Sequence, residues 1–273
     1  MGLERKTTPG IIPRARILDL IDESEQTPII VIAAPAGYGK TTVARQWLAR
    51  HPEFGVGWFQ IDSKHNALDL FLARLWQIVG DALGEPTPAP PDLALEDILH
   101  RVESCDRPFV LVFDIYTLIE NNAVHNAVHQ LFRALPGSAR VMLLSRHLPA
   151  IPLARLRAKG RLRLITQDDL AFTRDEIEQL FADRSFDQET ITRLIDRTRG
   201  WIIALQLAVA DIDRVNTTDP RCMADIIEGL PASRALADYI VEEVLAYLPA
   251  DLVQFVLDTS VLTRLDPTLC DAV

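Results

Sequence analysis

Cysteine is scarce in this sequence: Cys105, Cys222 and Cys270 lie far apart and form no CxxC pair. An odd, scattered set argues against a disulfide framework. Long apolar runs are missing too, and none approaches the ~18 residues that a membrane-spanning helix requires. The first residues, Met1-Gly-Leu-Glu-Arg-Lys6, are polar and hold no apolar signal core, so neither export nor a membrane partner is expected. Positive charge is in short supply: 28 Lys and Arg face 38 Asp and Glu, for a formal net charge of −10. Affinity for duplex DNA comes largely from basic contacts to phosphate, so direct DNA binding by this chain is not expected. The one dense basic run (Arg155, Arg157, Lys159, Arg161 and Arg163) is interleaved with apolar residues and reads as a solvated helix-to-strand surface. Together these absences point to a cytoplasmic protein.

What remains is ordinary globular composition, 48% hydrophobic and 24% charged, in a chain long enough for one large or two modest domains. Ile29 to Ala34, Val56 to Ile61, Phe109 to Phe113, Val141 to Leu144 and Leu162 to Ile165 are short, continuous apolar runs. They suit strands of a parallel sheet covered on both faces. Between them Lys40 to Arg50, Leu68 to Leu83 and Asn122 to Leu135 carry helical periodicity, so the expected fold is α/β with a doubly wound sheet. Beyond Ile165 the pattern turns helical: Asp168 to Asp183, with Thr173 and Glu176 as a capping box, then Asp187 to Thr198 and Trp201 to Asp211. A less ordered stretch is expected over Asp213 to Pro231. Helices over Ser233 to Tyr247 and Asp251 to Leu257 follow, with Pro249 breaking between them. Gly84 to Pro91 is a loop stiffened by four prolines.

The first strand runs into Ala34-Pro35-Ala36-Gly37-Tyr38-Gly39-Lys40-Thr41-Thr42. This matches the relaxed Walker A pattern, [AG]-x-x-x-x-G-K-[ST], in its strand–loop–helix setting. Gly37 and Gly39 let the backbone curl until successive N–H groups face one anion. The helix starting near Lys40 adds its positive end. Lys40 can reach the β- and γ-phosphates of ATP, and the Thr41 hydroxyl can ligate Mg2+. A second magnesium anchor is supplied by Asp114, which ends the apolar run from Phe109 at the carboxyl edge of the sheet. Hydrolysing enzymes often follow such an Asp with a second acid; here the next residue is Ile115.

Ser145-Arg146 ends the neighbouring strand. Arg146 reads equally as a γ-phosphate sensor, through its planar fork, and as a surface arginine at a strand end. His125 and His129 share a helical face but lack the Glu of HExxH and a third ligand, so they read as a helix-surface pair. Asp168-Asp169 reads as a helix opening.

With these residues in view, the chain resembles the nucleotide-binding module of MalT-like regulators, ATP-dependent transcriptional activators of the STAND class with a LuxR-type DNA-binding end. Lys6-Thr-Thr-Pro9 and Pro13-Arg-Ala-Arg-Ile-Leu18 resemble the family's opening segment, whose arginines lie near the adenine; this implies Arg16 as a nucleotide contact. The loop from Ala34, Gly57 to Asp62, Leu111 to Ile119 and Ser145-Arg146 continue in the family's order. Pro152 to Arg157, Asp169 to Thr173, Thr198 to Trp201 and Leu205 to Ala208 extend it. Glu242 to Leu245, Thr259 to Leu262 and Leu269 to Val273 resemble the start of the family's winged-helix domain.

The resemblance implies a P-loop NTPase fold of AAA/STAND type: a nucleotide-binding domain over 1–166, a helical lid over 167–215 and a partial winged helix over 216–273. It implies an ATP- and ADP-binding switch with at most slow hydrolysis, and self-association in the ATP state. The alternative is a hydrolysing AAA-type ATPase. Two positions depart from the family: Ile115 replaces its second acid, and Ile202 stands where a proline usually follows Gly-Trp. Members are several times longer, so the chain is expected to be a truncated product or fragment without the sensor repeats and the DNA-binding helix-turn-helix.

Overall fold

The computed structural model describes residues 12–23, 27–182, 186–215, 219–262 and 266–270. The motif residues Lys6 to Pro9 and Asp271 to Val273, and Asp183 at the end of one expected helix, lie outside them. The chain divides into two compact units, Met1–Arg184 with Gly200–Ile202, and Ser185–Arg199 with Ile203–Val273.

The first unit holds five parallel strands: β1 Ile29–Ala33, β2 Gly55–Gln60, β3 Phe109–Asp114, β4 Ala139–Ser145 and β5 Leu162–Thr166, in the order β2-β3-β4-β1-β5. All five coincide with the apolar runs. Because successive side chains alternate faces, each strand feeds two cores. Ile30, Ile32, Val110, Val112, Met142 and Leu144 pack with helices α1 (Ala15–Asp22) and α2 (Lys40–Arg50). Ile29, Val31, Leu111, Phe113, Val141 and Leu143 pack on the opposite side with α3 (Leu68–Leu83), α4 (Leu95–Glu103) and α5 (Asn122–Ala134). The result is the expected three-layer α/β arrangement.

The proline loop after α3 is pinned: the Trp76 indole donates to the Thr87 and Pro88 carbonyls at 3.1 Å, and the Arg101 guanidinium lies 4.6 Å over the Trp76 ring. Short helices α6 (Ala154–Ala158), α7 (Gln167–Leu170) and α8 (Arg174–Leu180) complete the unit. The basic run extends from α6 into β5: Arg155, Arg157 and Lys159 are exposed, whereas Arg161 and Arg163 are half-buried and Arg161 donates to the Leu135 carbonyl at 3.2 Å.

Two helix readings need correction, and one is the helix expected over Ser233 to Tyr247, which ends at Glu243 before a separate 3-10 turn over Leu245–Tyr247. The single helix expected from Asp168 is two, because the backbone of Phe172 turns aside to donate its N–H to Gly200 at 2.9 Å. Thr173 then caps α8, its hydroxyl accepting from the Glu176 N–H and the Glu176 carboxylate accepting from the Thr173 N–H, the box read from the sequence. Asp169 likewise serves α7, accepting from the Thr166 N–H at 2.7 Å.

In the second unit, α9 (Gln188–Thr198) and α10 (Ile202–Val215) follow the expected pattern. The stretch expected to be less ordered contains α11 (Pro220–Gly229). Its start is a strong local signal: Asp219 caps it and Pro220 sits at its first position, where no N–H is needed. Met223 and Ile227 are buried, and Arg193 and Arg197 of α9 both pair with Glu228 of α11. Helices α12 (Arg234–Glu243), α13 (Ala250–Thr259) and α14 (Pro267–Cys270) follow. Among the described residues no helix is long and apolar enough to cross a membrane.

Candidate functional site

The loop between β1 and α2 is shaped by two glycines. Gly37 (φ 76°) and Gly39 (φ 80°) occupy the left-handed region that a Cβ disfavours, and Gly39 is the N-cap of α2. Lys40 therefore opens an eleven-residue helix, and its ammonium folds back onto the Ala34 and Pro35 carbonyls at 2.7 and 2.8 Å. Burial and the nearby Arg146 charge lower the Lys40 pKa to about 8, with Asp114 opposing them. Thr41 and Thr42 fall in the first helical turn, Tyr38 is buried, and Pro35 is exposed.

Asp114, at the end of fully buried β3, receives the Thr41 hydroxyl, 3.3 and 3.2 Å from its two carboxylate oxygens. The Ile115 N–H donates to the same carboxylate at 3.0 Å. Burial raises the Asp114 pKa, while these two donors, Arg45 and Lys40 pull it back. Ile115 itself lies at φ 60°, ψ 36°. For a β-branched residue this left-handed turn is strained by about 1–3 kcal/mol, whereas Asp or Asn tolerates it.

Strand β4 lies between β1 and β3 and delivers Ser145-Arg146 to the same edge. Thr117, three residues past Asp114, ties the two strand ends together. Its hydroxyl bonds the Ser145 hydroxyl at 3.1 Å and accepts the Arg146 backbone N–H at 2.8 Å. Asp62 faces other work: its carboxylate accepts the Lys64 N–H at 3.1 Å and pairs with the Lys64 ammonium, while its backbone N–H donates to His65 Nδ1 at 3.0 Å.

Helix α1 and its approach hold Arg14 and Arg16. Arg14 is buried, donates to the Glu176 carboxylate at 3.1 Å and the Leu170 carbonyl at 2.7 Å, and lies 3.9 Å over the Phe172 ring. Arg16 is exposed and donates to the Asp169 and Ala171 carbonyls at 2.7 and 3.1 Å.

A profile of the MalT winged helix domain matches residues 241–273. The HTH-type transcriptional regulator MalT of Klebsiella pneumoniae (strain 342) is 32% identical over 272 residues, covering 94% of this chain and 30% of the relative. The MalT of Yersinia pestis (strain Pestoides F) is 30% identical over the same span and shares. The chain is MalT-like.

It spans 30% of the length of these curated relatives. Solved structures similar to the MalT-like chain show its fold. A Walker-type ATPase of Pyrococcus abyssi matches with a TM-score of 0.54 and 12% identity, over 98% of this chain and 90% of that one. The Aeropyrum pernix ORC1 protein in complex with DNA matches with a TM-score of 0.50 and 14% identity, over 93% and 74%. The fold is that of the P-loop NTPases.

The structure of the MalT-like chain thus brings together the loop 34–42, Asp114 and the Ser145-Arg146 strand end. Arg16 contacts the carbonyls around α7. The histidine pair needs correction: His125 is buried, not on the surface, and its Nδ1 meets the Tyr116 hydroxyl at 2.9 Å. Burial lowers its pKa and raises that of Tyr116, so the pair is a neutral core bond. Among the described residues no group of three or more His, Cys, Asp or Glu could hold a metal ion. Sequence reading missed Arg14, Thr117 and Trp201, whose indole donates to the Ala36 carbonyl at 3.0 Å. Each lies inside a segment that resembles the family (Pro13 to Leu18, Leu111 to Ile119 and Thr198 to Trp201), but the segment alone assigns it no role.

Thr117→Val keeps the shape and deletes both hydroxyl bonds. It should lower stability by about 1–2 kcal/mol and speed hydrogen exchange of the Arg146 amide, while Thr117→Ser should preserve both. Denaturant unfolding and exchange measured by NMR check this.

Proposed function

We propose that this MalT-like chain is a nucleotide-dependent switch module that binds ATP or ADP with magnesium and turns ATP over slowly at most. The observation that supports it best is the Thr41–Asp114 bond, which pairs a hydroxyl with a carboxylate beside a lysine-bearing phosphate loop. One neutral and one anionic oxygen suit magnesium, which prefers hard oxygen ligands and keeps several waters. Bound there, the ion would neutralise phosphate charge. Lys40 would leave the Ala34 and Pro35 carbonyls for the phosphates, and the α2 N-terminus would add its N–H groups. Arg146 supports the γ-phosphate reading because its charge already acts on Lys40. The curated relatives are named as transcriptional regulators, and we extend to this chain a part in such regulation.

Calorimetry with MgADP tests the binding. Lys40→Ala should weaken affinity at least tenfold, about 1.4 kcal/mol; unchanged affinity removes the reading. The lowered Lys40 pKa adds a pH signature. Near pH 8 about half of the free ammonium groups are neutral, because their pKa is about 8. Phosphate favours the charged form and raises that pKa again, so binding should take up protons: close to none at pH 6.5 and approaching half a proton near pH 8. Affinity should accordingly fall as pH rises above 8. Titrations in buffers of different ionisation enthalpy measure the uptake, which Lys40→Arg should abolish.

Slow turnover rests on Ile115. Its side chain neither accepts a proton nor orients water, and losing such a base typically costs ~10²- to 10⁴-fold in rate. Asp62, an acid shortly after β2 and the candidate to stand in for it, pairs instead with the Lys64 ammonium and accepts the Lys64 N–H. Ile115→Asp should raise the single-turnover rate at saturating ATP at least tenfold, and Asp also suits the left-handed backbone. If the wild type already turns over several times per minute and the variant is no faster, the hydrolysing AAA-type reading replaces the switch.

A further inference from the structure

Trp201 is far from the phosphate loop in sequence and touches it twice. Its indole Nε1 donates to the Ala36 carbonyl at 3.0 Å. Its ring stacks on Tyr38, with centroids 6.4 Å apart and planes at 24°. Tyr38 is itself fixed, its hydroxyl accepting from Gln167 Nε2 at 2.9 Å.

The backbone behind Trp201 is held just as closely. Gly200 lies at φ 73°, and a Cβ there would sit 2.6 Å from both the N and the O of Phe172. Only glycine permits this approach, which the Phe172 N–H to Gly200 carbonyl bond of 2.9 Å secures. Phe172 in turn carries the buried Arg14 guanidinium on its ring. The indole is therefore presented to the loop from a braced position.

What that brace controls follows from peptide geometry. The Ala36 carbonyl and the Gly37 N–H belong to one planar trans peptide and point in opposite directions. Gly37 has no Cβ, so its own backbone leaves this peptide free to turn over. Fixing the carbonyl fixes the N–H. Resting on the nucleotide reading above, we infer that Trp201 is a positioning residue for the loop: its indole holds the Ala36–Gly37 peptide so that the Gly37 N–H serves the bound phosphate. The same bond links phosphate occupancy to Gly200–Ile202, the stretch that packs with the sheet unit while the helical residues on either side belong to the second.

The test uses inorganic pyrophosphate with magnesium, and MgADP, as probes. Trp201→Phe keeps an aromatic ring over Tyr38 and deletes the donor. Calorimetry should show its affinity for both probes falling by roughly three- to tenfold, the range that one neutral hydrogen bond supports. In the wild type, the indole N–H resonance that this variant removes should shift during the pyrophosphate titration, while those of Trp58 and Trp76 stay in place. If the wild type binds and Trp201→Phe binds equally well, or if the Trp201 resonance does not move at saturation, the positioning role is overturned and the nucleotide reading stands. Failure of the wild type to bind either probe overturns both.

Discussion

The Thr41 hydroxyl meets the Asp114 carboxylate at 3.2–3.3 Å, although strand β4 separates β3, which ends on Asp114, from β1, which leads into the loop before Thr41. For that to happen the chain after β1 must curl over the sheet edge, which requires the left-handed backbone of Gly37 and Gly39. It must then start α2 at once, so that Thr41 lies in the first turn. Asp114 must stop β3 at the sheet edge while its carboxylate stays buried, a placement that raises its pKa and is tolerated only with donors around it. Thr41 and the Ile115 N–H are those donors. The strained turn at Ile115 is the backbone consequence of supplying the second one.

Around that pair the molecule braces each part separately. Thr117 fastens the β4 end to the turn after β3. Arg14 and Glu176 form an ion pair with little solvent contact, joining the approach to α1 with α8. Such a pair is worth little over an apolar contact, but losing one partner leaves a buried charge, so it enforces one arrangement. Trp201 supports the loop through the Ala36 carbonyl rather than through an N–H.

Much of this was legible in the sequence, for local reasons. Strand β1 announces itself because a centrally placed parallel strand is buried on both faces, leaving an unbroken run such as Ile29-Ile-Val-Ile32. The phosphate loop is legible because glycine spacing, lysine and threonine are all set by one short segment. The capping box at Thr173 and the Asp114 strand end are local in the same sense. What escaped was long-range or was masked by composition. The Arg14–Glu176 pair spans 162 residues and the Trp201–Ala36 bond 165, and no periodicity reports such a contact. His125 looked like half of a surface pair because its partner, the Tyr116 hydroxyl, arrives from the turn after β3. Helix α11 was hidden by its polar surroundings although its Asp-Pro start was in view.

We propose that Thr41 and Asp114 hold magnesium together with a nucleotide bound on the loop. Electron paramagnetic resonance with Mn2+ in place of magnesium tests it most directly, because free Mn2+ loses its sharp signal when it is bound. The account predicts that adding ADP makes the wild-type chain withdraw about one Mn2+ per molecule from solution beyond what ADP alone binds, and that Asp114→Asn withdraws far less. Equal withdrawal by Asp114→Asn, or none by the wild type in the presence of ADP, would contradict it.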